Sequence, residues 1–524
     1  MFKSLAKVGS ITLFSRVLGF IRDLVLAQVF GAGAITDAFF VAFKIPNFLR
    51  RLFAEGAFSA AFVPILSEYK QRRSPAELKQ FVDRVAGTLG GVLLLVTLLG
   101  ILGAPLLVLL FAPGFAEEPG LRELTGEMLS LTFPYLLFIS LTAFVGGILN
   151  AFDRFAAPAF TPVLLNLFLI AAALWLAPHL EQPIVALAWA VLFAGVAQFL
   201  FQLPFLRPLG LLPRFRFAPR DPGVRRIGGL MLPALFGVSV TQLNLLLDTF
   251  VASFLEKGSI SWLYYSDRLM EFPVGVLGAA LGTVILPSLS KRHADASPEA
   301  FSRTIDWGVR VTLLLGVPCA VGLFVLAGPI IATLFQSAQF DARDVQMASY
   351  SLMTYSVGLL AFLLIKVLAP GFYARQDTRT PVRYALVAVV SNMVLILLLV
   401  WPLQHAGLAL ATSLAASLNA GQLFLGLRRQ GVYRPLPGWG RLWGAILTAA
   451  AAMTAALWLG MGDAAQWLTL PRGDKALLLA GLVLVGALVY FAVLWGFGVR
   501  LGHFRSSYLG AASARHQQSQ EEQE

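Results

Sequence analysis

Arg16, Arg22 and Asp23 interrupt one apolar stretch, and Asp37, Lys44, Asn47, Arg50, Arg51 and Glu55 interrupt the next. Asp267, Arg268 and Glu271 form a third group just ahead of Pro273. At about 100° per residue, Arg16, Arg22 and Asp23 fall within about a third of a helical circumference. Asp37, Lys44 and Arg51 follow heptad spacing, with Glu55 one turn on and Asn47 and Arg50 flanking the stripe. Pro46 is expected to kink that helix and Pro273 to bend its own, because a proline ring removes a backbone donor and crowds the preceding turn. Guanidinium groups hold phosphate oxygens in a bidentate fork and stay charged at any relevant pH. If these faces meet, the chemistry they suit is anion binding. The competing reading is local neutralisation, Arg16 pairing with Asp23 and Arg268 with Glu271 inside a packed bundle. Arg50 and Arg51 also suit snorkelling from a helix end.

The elements that carry these groups follow from composition. Of the 524 residues 58% are hydrophobic and 13% charged, against roughly 25% charged in soluble domains. About fourteen apolar runs long enough to cross a bilayer recur from end to end, the second near residues 34–68 and the ninth near 304–335. The expected fold is all-α and polytopic, and Arg16, Arg22 and Asp23 argue against a cleaved leader. Most of the 40 Lys and Arg fall in alternate loops, including Lys70, Arg72 and Arg73, the run from Arg207 to Arg226, and Arg428 with Arg429. That asymmetry places those loops and both termini in the cytoplasm. The opposite side carries Glu117, Glu118, Glu123 and Glu127. The basic balance therefore reports topology and attraction to anionic membrane lipids, with nucleic acid excluded as a partner.

The chain also repeats itself. Phe62-Val63-Pro64-Ile65-Leu66-Ser67 resembles Ile285-Leu286-Pro287-Ser288-Leu289-Ser290. Phe152-Asp153-Arg154 leading to Thr161-Pro162 resembles Tyr373-Ala374-Arg375 leading to Thr380-Pro381 at nearly the same separation. Two six-helix lobes over 1–210 and 220–430 fit this pattern, followed by two added helices over 438–502 and a polar cytoplasmic tail over 503–524. Cys319 is the single cysteine, and the five histidines have no ligand spacing, so no protein-bound metal or cofactor is expected. Phosphate-binding loop and nucleophile-elbow motifs are absent from the sequence.

Ser15-Arg16-Val17-Leu18-Gly19-Phe20-Ile21-Arg22-Asp23, Thr36-Asp37-Ala38-Phe39-Phe40, Lys44-Ile45-Pro46-Asn47, Arg50-Arg51-Leu52-Phe53-Ala54-Glu55-Gly56-Ala57-Phe58 and Asp267-Arg268-Leu269-Met270-Glu271-Phe272-Pro273 closely resemble the MurJ (MviN) family. These are lipid II flippases of the multidrug/oligosaccharidyl-lipid/polysaccharide exporter superfamily. The resemblance implies alternating access at a bacterial inner membrane, with Arg16, Arg22, Asp23, Asp37, Arg50 and Arg268 serving a central cavity. Lys44, Pro46, Asn47, Arg51, Glu55, Asp267, Glu271 and Pro273 support that cavity or its hinges. It also implies a lipid-tail groove formed with the two added helices, and lipid II, membrane lipids and cell-wall synthesis enzymes as partners. Candidate driving forces are the membrane potential or a monovalent cation, with Asp248 and Asn392 as loose sodium candidates. Other readings are export of another polyprenyl-diphosphate glycan or an amphipathic drug, and a non-transporting scaffold for cell-wall synthesis. The charge asymmetry makes a direct prediction about orientation. With Cys319 replaced, a cysteine at Gly120 should react with a membrane-impermeant thiol reagent on intact spheroplasts. One at Ser74 should not, and labelling of Ser74 from outside would reverse the assignment.

Overall fold

The computed structural model describes residues 2–52 and 58–499. Glu55 lies outside the described residues, as do its neighbours from Phe53 to Ala57 and the tail over 503–524. Among the described residues all regular structure is helical. The helices are α1 (Phe2–Phe30), α2 (Ala34–Arg50), α3 (Ser59–Arg72), α4 (Pro75–Leu102), α5 (Ala104–Phe111), α6 (Pro119–Thr132), α7 (Tyr135–Ala151), α8 (Ala156–Ala171) and α9 (Val185–Leu206). They continue as α10 (Pro222–Ala252), α11 (Ser259–Ala294), α12 (Pro298–Val325), α13 (Ala327–Leu334), α14 (Ala342–Tyr373), α15 (Arg379–Arg429), α16 (Trp439–Met461), α17 (Ala464–Thr469) and α18 (Arg472–Gly496). Ten helical stretches among the described residues are long and apolar enough to cross a membrane. One of them, α15, is 51 residues long, and at about 1.5 Å per residue it exceeds twice a bilayer's hydrocarbon thickness. It breaks at Gln404, whose φ of 51° and ψ of −131° leave the helical region, so two spans meet there as the apolar runs predict.

Where the apolar runs suggest one span, the backbone sometimes makes two helices. The run over 304–335 is divided between α12 and α13. That break follows from Pro329, which cannot donate to a preceding turn. An equivalent break separates α4 from α5 at Gly103, ahead of Pro105.

These breaks expose a single repeat register. Pro75 and Pro298, Leu102 and Val325, Ala104 and Ala327, Pro119 and Ala342, and Ala156 and Arg379 are equivalent helix ends, all with the separation of Pro64 from Pro287. In the same register Asp153 (φ 60°) matches Gln376 (φ 61°), each the left-handed residue that closes a helix. The next N–H turns back on each helix, Arg154 to the Leu149 carbonyl at 2.9 Å and Asp377 to the Phe372 carbonyl at 3.1 Å. The matching of Arg154 to Arg375 and Thr161 to Thr380 by residue type is thus two or more residues out. Backbone geometry pairs Arg154 with Asp377, whose carboxyl is held below the usual carboxylate range by hydrogen bonds from the Thr380 hydroxyl and N–H. Pro134 separates α6 from α7, where the second copy, with Val357 at that position, runs on as the continuous α14.

Two compact units result, Met1–Ser261 with Ser337–Phe340, and Trp262–Gln336 with Asp341–Glu524. In the first, Phe62 stacks on Phe58 and Phe81 and meets Phe144 at 5.1 Å, tying α3, α4 and α7 together. In the second, Gly358 on α14 lies against Ser413 on α15, an approach that any side chain at Gly358 would block. Asp306 on α12 is fully buried and organises the connection into α16. Its carboxylate accepts from Tyr433 Oη at 2.9 Å, Trp439 Nε1 at 2.9 Å and the Leu436 N–H at 3.2 Å, and pairs with Arg310 Nε at 2.6 Å. Asp306→Ala should lower the melting temperature in detergent by an amount equivalent to about 3 kcal/mol, since it removes the carboxylate from Arg310 and leaves three donors without their acceptor. Asp306→Asn should fall between the two proteins. Wild-type stability in both variants would remove Asp306 from that role.

Candidate functional site

Arg22, rather than Arg16 at the heptad spacing, pairs with Asp23. Its Nε and Nη2 bind Oδ1 of adjacent Asp23 at 2.9 and 2.6 Å, and Nη1 reaches Asn166 Oδ1 on α8 at 3.0 Å. The Asn166 amide in turn donates to the Ser15 carbonyl at 3.2 Å. Gly19 lies against Asn166 and gives α8 this close approach. Arg22 and Asp23 are 7% and 2% exposed, so the guanidinium is held as a fork in a buried frame. Arg16 remains exposed on the same helix, so the expected pairing of Arg16 with Asp23 gives way to a pair between neighbours. Asn166 escaped the sequence reading, although an amide inside an apolar span is costly enough to have marked it.

Asp37 is buried at the start of α2 and serves the first turn of α11. It accepts from the Gly258 N–H at 2.7 Å, the Ser261 N–H at 2.8 Å and the Ser261 hydroxyl at 2.5 Å. A carboxylate there satisfies donors that a helix N-terminus leaves open and complements its dipole. One turn pair further along α2, Lys44 Nζ donates to Thr249 Oγ1 at 3.2 Å, and Arg50 Nε to Asn47 Oδ1 at 2.8 Å. Pro46 is buried, and α2 continues through it to Arg50; Arg51, just beyond, is half-buried. On α11, Arg268 pairs with Glu271 at 2.9 Å, but on an accessible face rather than inside a packed bundle as the competing reading has it, and lies 5.1 Å from the centre of the Tyr264 ring. Asp267 is half-buried beside it, and α11 continues through Pro273. Tyr264, Thr249 and Ser261 are partners that no spacing in the sequence announces.

The second unit holds an apolar cavity of about 770 Å³. Leu313 of α12, Leu360 and Leu364 of α14, Phe424 of α15 and Trp443 of α16 line it, with Tyr433 from the connection that Asp306 holds. Helix α18 contributes nothing to its wall. Asn392 is completely buried in α15, with neither side-chain amide atom hydrogen-bonded. Among the described residues no group of three or more His, Cys, Asp and Glu could hold a metal ion.

Residues 26–470 match the family described as "Lipid II flippase MurJ". A "Probable lipid II flippase MurJ" of Vibrio cholerae serotype O1 is 50% identical over 97% of this chain and 98% of its own length. The chain belongs to the MurJ lipid II flippase family. A second MurJ relative, the "Lipid II flippase MurJ" of Burkholderia cenocepacia, is 45% identical over 96% of this chain and 99% of its own. A solved MurJ structure in an inward closed conformation superposes with a TM-score of 0.78 at 26% identity, covering 93% of this chain and 99% of that one. An inward-facing MATE multidrug transporter of the MOP superfamily shares the fold, with a TM-score of 0.63 at 16% identity over 81% and 97% of the two chains. Within this MurJ-family site the Asp37 cap makes a quantitative prediction. Asp37→Asn and Ser261→Ala should each destabilise the protein by about 1–3 kcal/mol, and the double variant by less than their sum, because both remove the same bond. Strict additivity in thermal melts would show that the two residues act separately.

Proposed function

We propose that the chain flips lipid II, the polyprenyl-diphosphate-linked peptidoglycan precursor, from the inner to the outer leaflet of the bacterial inner membrane. The observation that carries this reading is a set of arginines on α1, α2 and α11 of a multi-pass MurJ-family protein, of which α11 is among the ten helices long and apolar enough to cross a membrane. An ionised arginine in such a helix is retained at a cost, and a diphosphate is the part of this substrate that repays it. Arg22 has its fork oriented by Asp23 and Asn166. Arg268 is oriented by Glu271 and Tyr264. Arg16 is exposed and Arg50 is aimed by Asn47. We assign Arg16, Arg50 and Arg268 to the diphosphate and Arg22 to both frame and substrate, with Asp37 fixing the helix start ahead of Arg268.

Alternating access follows in this reading from two copies of one helical repeat. The apolar cavity beside Trp439 and Trp443 is suited to the polyprenyl tail, whose transfer out of water needs no directional contacts. Both termini and the basic loops face the cytoplasm, and the chain works as a transporter rather than an enzyme. Asn392 and Asp248 are the groups through which a monovalent cation would bear on transport, with the membrane potential as the other driving force. Cell-wall synthesis enzymes are the protein partners this role calls for.

Lysine and alanine variants at Arg16, Arg22 and Arg268 test the assignment, with leaflet-resolved lipid II flipping in vesicles normalised to protein content. Loss of the bidentate geometry should lower flipping by about tenfold or more in each lysine variant. Lysine variants at wild-type rate, with alanine variants failing only through reduced abundance, would leave these arginines as structural counter-ions.

A further inference from the structure

The connection between α9 and α10 carries four arginines in its fifteen residues, Arg225 and Arg226 follow in the first turn of α10, and the anion-transport reading uses none of them. Its middle, Arg214-Phe215-Arg216-Phe217, alternates cation and aromatic ring. The segment is strapped lengthwise onto α4. The Arg214 N–H donates to Asp83 Oδ1 at 2.7 Å, the Arg216 N–H to the Asp83 carbonyl at 3.1 Å and the Ala218 N–H to Thr88 Oγ1 at 3.1 Å. Lys79 pairs with the buried Asp83, and Arg84 closes the strap by binding Asp221 at 2.5 Å. Gly87 meets the Arg216 backbone so closely that no side chain fits there.

Bonding alternate N–H groups gives the strap an extended, period-two character, which sends Phe215 and Phe217 to one side and Arg214 and Arg216 to the other. The two rings lie over Gly90 and Gly91 yet stay 57% and 68% exposed. At their level the exposed surface of α4 changes character. Glu77 and Gln80 precede it, and Val92, Leu94, Leu95 and Leu98 follow. The strap therefore lies along α4 up to the level where its exposed surface turns from polar to apolar. Among the described residues Arg207, Arg214, Arg216, Arg220 and Arg225 have no carboxylate partner, whereas Arg226 pairs with Glu68. Exposed rings at a polar–apolar boundary, beside uncompensated guanidinium groups on a backbone already fixed to a helix, match an anionic phospholipid: acyl chains against the rings, phosphate against the cations.

We propose that residues 207–225 form a binding site for anionic phospholipid headgroups at the membrane interface. The site is separate from the groups assigned to the flipped substrate and stands independently of that assignment.

A bimane label at Leu212→Cys, in protein with Cys319 replaced, reads which lipid lies against the strap. The protein is reconstituted in vesicles of phosphatidylcholine mixed with brominated phosphatidylglycerol or brominated phosphatidylcholine, without lipid II. The glycerol lipid should quench with a relative association at least about fivefold higher. Arg214→Gln, Arg216→Gln and Arg220→Gln together should bring that ratio close to one, while the backbone bonds to Asp83 and Thr88 are kept. Neutralising Arg428, Arg429 and Arg434 removes the same charge elsewhere and should leave the ratio unchanged, whereas moving the label to Gly120→Cys should abolish the preference. Equal quenching by both lipids at Leu212, or a preference that survives the strap substitutions, overturns the proposal. So does a preference lost equally in the distant triple variant, which would assign it to net charge. A protein that fails to flip lipid II but keeps this preference would leave the strap site standing.

Discussion

Ionised groups placed among hydrocarbon-facing helices impose the constraint on which the rest of this molecule depends. An unpaired charge there is costly, so each must find partners inside the protein. Arg22 is answered by Asp23 and Asn166, Asp306 by Arg310 and three neutral donors, and Asp37 by the first turn of α11. In each case at least one partner lies on another helix or connection. Charge satisfaction therefore fixes which helices neighbour one another, in places where apolar packing alone would allow them to slide.

The partners are mostly hydroxyl, amide and backbone groups rather than opposite charges. That choice bears on function. A guanidinium fully neutralised by a buried carboxylate on every side would have nothing left for a phosphate. One oriented by an amide and a single carboxylate keeps both its position and its affinity for anions. Arg268 is held in the same way, by Glu271 and the hydroxyl and face of Tyr264, while more than a third of its side chain is still accessible. Preorganisation of this kind lowers the ordering that binding would otherwise require.

Duplication supplies the second layer of organisation. Helix ends recur in one register from Pro75 to Arg429, yet the copies have diverged where proline decides the backbone: α6 and α7 part at Pro134, and α14 runs straight through the equivalent place. The first copy adds the basic strap on α4, anchored by Asp83 and Thr88.

The sequence by itself determined the all-helical multi-pass class, the family, the cationic groups on α1, α2 and α11, and the existence of a repeat. Those properties depend on composition, on runs of apolar residues and on residue types at helical spacing, all local along the chain. Its limits lay where partners are distant. Heptad spacing proposed Arg16 for Asp23, but Arg22 lies closer, and Asn166, far away in the chain, completes its frame. Matching residue types set Arg154 against Arg375, whereas the left-handed residues Asp153 and Gln376 give the true register, because a helix C-terminus is specified by backbone conformation and not by which side chain follows. Asp37 was legible as a buried acid; that it serves the first turn of α11 was not, since helix-end donors leave no trace in residue type. The apolar cavity walled by α12, α14, α15 and α16 likewise exists only once those helices pack, as no single one of them carries a groove.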